Sequence, residues 1–89
     1  VQITLKLYPP YRKPGETGEF SLELPGEPLN LKELAHHLTR EKPDILAFEL
    51  LDRQCALTAE FLVNGKPASP DYIPSDGDVI TVIPYICGG

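Results

Sequence analysis

Asp78-Val79-Ile80-Thr81-Val82-Ile83-Pro84-Tyr85-Ile86-Cys87-Gly88-Gly89 is the stretch on which the reading of this chain turns. Val79 to Ile83 is a β-branched run with no helical spacing, and a run that is apolar on both faces reads as a strand inside a sheet. Val79, Thr81 and Ile83 share one face, and Ile80 and Val82 share the other. Two readings of the second pair stay open. Ile80 and Val82 belong either to a central strand covered on both sides, or to an apolar surface patch that a partner covers. Beyond Pro84, Gly88-Gly89 has no following element to connect. It is expected to form a thin, flexible probe ending in a carboxylate on Gly89, able to pass through a narrow channel into another protein's active site.

The segments upstream say what that strand is central to. Gln2 to Tyr8 alternates, with Ile3, Leu5 and Leu7 on one face, and Pro9-Pro10 ends it. Lys13 to Gly18 is a turn by composition. Glu19 to Leu24 alternates again with Phe20, Leu22 and Leu24 inward, which completes an amino-terminal hairpin. Asn30 with Glu33 three residues on is a capping box. Leu31, Leu34, Ala35 and Leu38 follow as one apolar stripe of a helix that Pro43 stops. Asp44 to Leu57 is ambiguous: Ile45 to Leu51 reads either as a helical turn or as a short edge strand, and the favoured reading is a turn leading into a strand near Glu49 to Asp52. Glu60 to Val63 is a strand closed by the turn signal Asn64-Gly65.

Hairpin, helix, then two or three strands is an α+β order. One helix laid across one face of a mixed four- to five-stranded sheet buries both stripes, with the first and last strands as central neighbours. That arrangement is the β-grasp, or ubiquitin-like, fold. The predicted organisation is a single domain over residues 1–84 and a tail over 85–89.

The 89 residues, 42% apolar and 24% charged, suit one compact domain with a single core. No apolar run approaches the roughly 18 residues a membrane span needs, and no secretory leader opens the chain, so the expectation is a cytoplasmic protein with no membrane partner. A net charge of −5 with scattered Lys and Arg argues against a nucleic-acid partner. Cys55 and Cys87 are far apart in sequence, with only His36 and His37 to join them. No metal site is expected from that spacing, and an iron–sulfur cluster would need more thiolates.

Phe61-Leu62-Val63-Asn64-Gly65, then Asp76-Gly77-Asp78-Val79, then a strand, Pro84 and terminal Gly88-Gly89 carry a resemblance. In that order and spacing they resemble the sulfur carriers typified by the small subunit of molybdopterin synthase and by the thiazole-synthesis carrier, the MoaD/ThiS type. Tyr85-Ile86-Cys87 departs from the second proline and small apolar pair usual in the molybdopterin branch. The loop from Pro9 to Gly18 also departs from the family's usual opening.

The resemblance implies a chemistry for Gly89. An E1-like adenylating enzyme uses ATP and magnesium to form an acyl-adenylate there, and a sulfurtransferase or persulfide donor displaces AMP to leave a thiocarboxylate. The chain itself then holds no stable cofactor, and acts as a carrier more than as an enzyme. Gly88 permits threading, and the implied acceptor complex contains the large subunit of molybdopterin synthase. Tyr85 and Ile86 are candidate docking contacts beside Ile80 and Val82, or else pack on the domain body. Cys87 is either a thiol able to attack the activated carbonyl or an inert small residue, and no base or cation near it in sequence lowers its pKa. Three functions compete: a sulfur carrier for molybdopterin, thiazole or another sulfur-transfer pathway; a protein modifier joined through Gly89 to a lysine; and a plain interaction domain that keeps its function without Gly88-Gly89.

Overall fold

The computed structural model of the protein describes residues 1–84, and the predicted tail over 85–89 lies outside the described residues. Gln2–Leu7 forms β1 and Glu19–Glu23 forms β2, paired antiparallel with Leu5 opposite Phe20. Leu31–Glu41 is the helix α1. A single 3₁₀ turn, Pro43–Ile45, follows it. Ala59–Val63 is β3, Lys66–Pro67 is β4 and Val79–Pro84 is β5. The sheet order is β2-β1-β5-β3-β4, so β1 and β5 are the expected central neighbours, and they run parallel.

The helix starts where its capping box places it. The Glu33 amide donates to Asn30 Oδ1 at 2.8 Å, and the Asn30 amide donates to Glu33 Oε1 at 3.0 Å. Two otherwise unpaired amides at the helix start are satisfied in this way. Leu31, Leu34, Ala35 and Leu38 are fully buried, and with Ile3, Leu5, Leu7 and Phe61 they form the core between helix and sheet. The loop from Pro9 to Gly18 feeds β2 through a position only glycine fills. Gly18 has φ +73, and a Cβ built there would stand 2.5 Å from the Leu7 carbonyl oxygen.

The segment from residue 44 to 57 departs from its reading. The turn is present, but no ladder strand forms near Glu49 to Asp52; Leu51 makes one isolated bridge to Leu57. The segment is held by burial and by tertiary hydrogen bonds. Leu50 is fully buried, and so is Tyr11 from the distant loop. The Tyr11 hydroxyl donates to the Thr58 carbonyl at 2.9 Å, the Ala47 amide donates to the Tyr11 carbonyl at 2.9 Å, and the Thr58 hydroxyl donates to the Glu49 carbonyl at 2.7 Å. These bonds satisfy backbone groups that a sheet ladder would otherwise have to pair.

Candidate functional site

β5 has one end at the Asn64-Gly65 turn and the other leading to residue 85, and the chemistry of the two ends differs. At the start, Asp78 is buried and its carboxylate is fully engaged. Oδ2 accepts from the Tyr72 hydroxyl at 2.7 Å and from the Ser75 amide at 2.8 Å, and Oδ1 accepts from Asn64 Nδ2 at 2.9 Å. The Asn64 Oδ1 in turn accepts from the Val79 amide at 2.9 Å. The Ser75 amide, then the Tyr72 hydroxyl, hold the Asp78 carboxyl below the usual carboxylate range. The same hydrogen bond to Asp78 raises the Tyr72 hydroxyl above its ordinary value, because it favours the protonated phenol.

Asn64 and Gly65 both have positive φ, 52° and 86°, the backbone of a type I′ hairpin turn. Asp76 Oδ1 accepts from the Gln2 amide at 2.7 Å, tying the preceding turn to β1. The Asn-Gly and Asp-Gly-Asp motifs therefore meet in space and lock this end of the sheet. They bring together no nucleophile, base or metal-ligand set.

At the other end, Ile83 pairs with Glu60 and Pro84 with Ala59, while the Tyr8 amide donates to the Val82 carbonyl at 3.1 Å. Tyr8 is 53% exposed beside this exit. Gly89, Gly88, Tyr85, Ile86 and Cys87 lie outside the described residues, so their expected roles have no geometry here.

Ile80 and Val82 are corrected by the structure. Both are fully buried, so neither is a surface docking contact. The parallel register sets Leu5 beside Ile80 and Leu7 beside Val82, which turns both side chains toward α1. The open face instead carries Val79, Thr81 and Ile83, with Leu62 opposite Thr81 and with Thr4 and Lys6 on β1. Val79, Ile83 and Leu62 are half-buried, which makes a shallow apolar band across the sheet. The strand's own alternation could not choose between the faces, because both are apolar; the register with β1 chooses.

The remaining candidates are scattered. His36 and His37 are half-buried on α1, less exposed than solvated side chains would be. Cys55 is exposed in a loop that Asp52 organises by accepting from the Gln54 and Ala56 amides at 2.8 and 2.9 Å. Among the described residues, no group of three or more His, Cys, Asp or Glu is placed to hold a metal ion, and no helix is long and apolar enough to cross a membrane.

Comparison with known proteins follows the same outline. The family described as the ThiS family matches residues 14–89. No curated protein matches the chain in sequence. SAMP1 from Haloferax volcanii superposes with a TM-score of 0.75 at 16% identity over 100% of both chains. A Pyrococcus furiosus protein provisionally described as molybdopterin converting factor subunit 1 superposes at 0.70 and 23% identity, covering 97% of this chain and 99% of its own. The complex of subunits 1 and 2 of molybdopterin-converting factor from Helicobacter pylori contributes a chain at 0.59 and 19% identity over 100% of both. At these identities the likenesses establish the β-grasp fold.

Proposed function

This chain belongs to the ThiS family of ubiquitin-like sulfur carriers, and we propose that it carries sulfur as a thiocarboxylate on Gly89. The observation that supports this reading most is the extent of the family match, which runs from residue 14 through Gly89 and so includes the two glycines. A free carboxylate is a poor electrophile because substitution would have to expel oxide. In the proposed sequence its oxygen attacks ATP, with magnesium, on an E1-like enzyme and releases pyrophosphate. A persulfide sulfur then displaces AMP from the acyl-adenylate, and a thiol cleaves the resulting acyl disulfide to free the thiocarboxylate. The protein contributes the carried group and the surface that presents it, while acid, base and metal chemistry belong to the partners.

The glycines fit such a path because side chains at Gly88 or Gly89 would widen a segment that has to enter a narrow passage. The destination we propose is molybdopterin synthesis in the cytoplasm, with a molybdopterin synthase large subunit as the receiving partner. Pro84 and the strand before it resemble that branch, and two of the structures sharing this fold are described as components of molybdopterin converting factor.

The test is intact-protein mass spectrometry after incubation with ATP, magnesium, an adenylating enzyme from the same cell and a persulfide donor. A mass gain equal to replacing one oxygen by sulfur, absent when Gly89 is deleted, is the expected result. No gain with an enzyme active on another carrier overturns the proposal. Stable conjugation to lysine in place of thiocarboxylate would redirect it to protein modification.

A further inference from the structure

β2 is an edge strand, and the register fixes which of its backbone groups are free. The Leu7 amide donates to the Gly18 carbonyl at 2.8 Å and the Leu24 amide donates to the Val1 carbonyl at 2.7 Å, one at each end of the β1–β2 ladder. Hydrogen-bonded and non-bonded pairs alternate in an antiparallel ladder, so Phe20 and Leu22 also bond inward to β1. The amides and carbonyls of Glu19, Ser21 and Glu23 then point outward, and among the described residues no strand pairs with them, although the Glu19 amide makes a long 3.4 Å contact to the Thr17 hydroxyl. Beside this edge, Ser21, Leu22, Glu23 and Leu24 face His37, Leu38 and Lys42 of the helix side across a groove of about 150 Å³.

An unpaired edge is a template for another strand, and charged side chains are the usual guard against the wrong one. Here the guard has a definite pattern. Glu19-Phe20-Ser21-Leu22-Glu23 reads acidic, apolar, polar, apolar, acidic, with Glu19, Ser21 and Glu23 exposed. Glu19 lies 3.7 Å from Lys6 Nζ and Glu23 lies 3.4 Å from the Val1 ammonium, solvent-exposed ion pairs weak enough for a docking strand's bases to exchange. A second copy pairing antiparallel about Ser21 would set each Glu19 directly against the other copy's Glu23. Like charges directly opposite destabilise a strand pair. The edge therefore rejects itself and accepts a strand of opposite charge pattern.

We propose that β2 is a docking edge for an extended segment of a partner protein with the pattern basic, apolar, polar, apolar, basic. The two basic residues pair with Glu19 and Glu23 on the open side, and the two apolar residues lie opposite Phe20 and Leu22 and enter the groove beside Leu38. Three outward-facing backbone positions supply the hydrogen bonds, and the side chains supply the selection. This surface lies two strands away from β5, so its test is independent of the chemistry proposed for Gly89.

The experiment is an amide NMR titration of the whole chain with a capped nine-residue peptide carrying Lys-Val-Thr-Val-Lys at its centre. Saturable shifts confined to Glu19, Ser21, Glu23 and the groove residues are expected. The Glu19→Lys/Glu23→Lys variant should bind that peptide about tenfold more weakly, and should bind the Glu-Val-Thr-Val-Glu counterpart better than the parent does, as two reversed cross-strand pairs would give. Ser21→Pro removes one outward amide while leaving the inward ladder in place, and should abolish binding with the β5 resonances unmoved. Equal binding by a scrambled peptide of the same charge overturns the proposal. So does a response centred on Leu62, Val79 and Ile83, or the absence of saturation.

Discussion

The two ends of β5 are about 17 Å apart along one strand, at about 3.3 Å per residue, and they solve opposite problems. At the Val79 end, polar groups are gathered and satisfied: Asp78 accepts three hydrogen bonds, and Asn64 both donates to it and accepts from Val79. At the Pro84 end, the strand is held by backbone pairing, Pro84 opposite Ala59 and the Tyr8 amide donating to the Val82 carbonyl, with no comparable polar side-chain anchor among the described residues. The first arrangement fixes where β5 begins, and hence its register against both neighbours. The second leaves Ile83 half-buried and Pro84 exposed on the surface. Sequence motifs that point to a carrier are thus divided between a lock at the Val79 end and, under the proposed function, a presenting end beyond Pro84.

The largest test of this division lies between the ends. Ile80 is fully buried against the helix, and Ile80→Ala should cost about 3 kcal/mol through lost burial and a residual cavity. In a domain this size that lowers Tm by roughly 12 °C or more, measurable by calorimetry. A loss near zero would return Ile80 to the surface and undo the assigned face of β5.

The lock comes next. Asp78→Asn removes the charge from a carboxylate holding three donors, and hydrogen bonds to charged groups are worth more than neutral ones. We expect about 2 kcal/mol of destabilisation by denaturant titration, with the midpoint shifted and the slope unchanged. If the variant instead lost carrier activity at full stability, the lock would have a chemical role and the comparison would fail.

Acidification sharpens the same point. The Asp78 carboxyl is held below its ordinary value in the folded state, so its contribution is fully present above the unfolded carboxylate value near about 4. It is lost as pH falls through the lowered folded value. The stability gap between the parent chain and Asp78→Asn should therefore be constant from neutrality to about pH 5 and narrow below about pH 4. A gap independent of pH would mean that shape, not charge, holds the turn.

Much of this was legible in the sequence because it is local. The alternation of Ile3, Leu5 and Leu7, the Asn30–Glu33 capping box and the Asn64-Gly65 turn each follow from neighbours within a few positions, and each stands where it was expected. What was not legible depends on distant partners. Tyr11 looked like a loop residue, and its burial comes from Thr58 and Ala47, far along the chain. The segment from 44 to 57 has no period because Leu50 and one bridge hold it in place of a ladder. β4, two residues long, is too short to leave a pattern. The two readings of Ile80 and Val82 stayed open in the sequence because both faces of β5 are apolar and only pairing with β1 separates them; the covered reading holds, and the surface-patch reading does not. For the candidate site, the motif residues were visible, while the hydrogen bonding that gives Asn64 and Asp78 their work was not.

The smallest expected effect on stability carries the most information about function. Ile83 is half-buried on the open face at the presenting end, so Ile83→Ser should cost no more than about 1 kcal/mol. If that end is where the activating enzyme docks, conversion of the terminal carboxylate should show KM raised several-fold with kcat nearly unchanged, because the lost contact is made equally before and during the reaction. A fall in kcat at constant KM would place Ile83 among the groups that position Gly89, and would make β5 a continuous device instead of a lock joined to a presenting end. No kinetic change, with stability intact, would move the docking surface off this face altogether, leaving the other exposed positions near the exit, Tyr8 first, as the contacts to test.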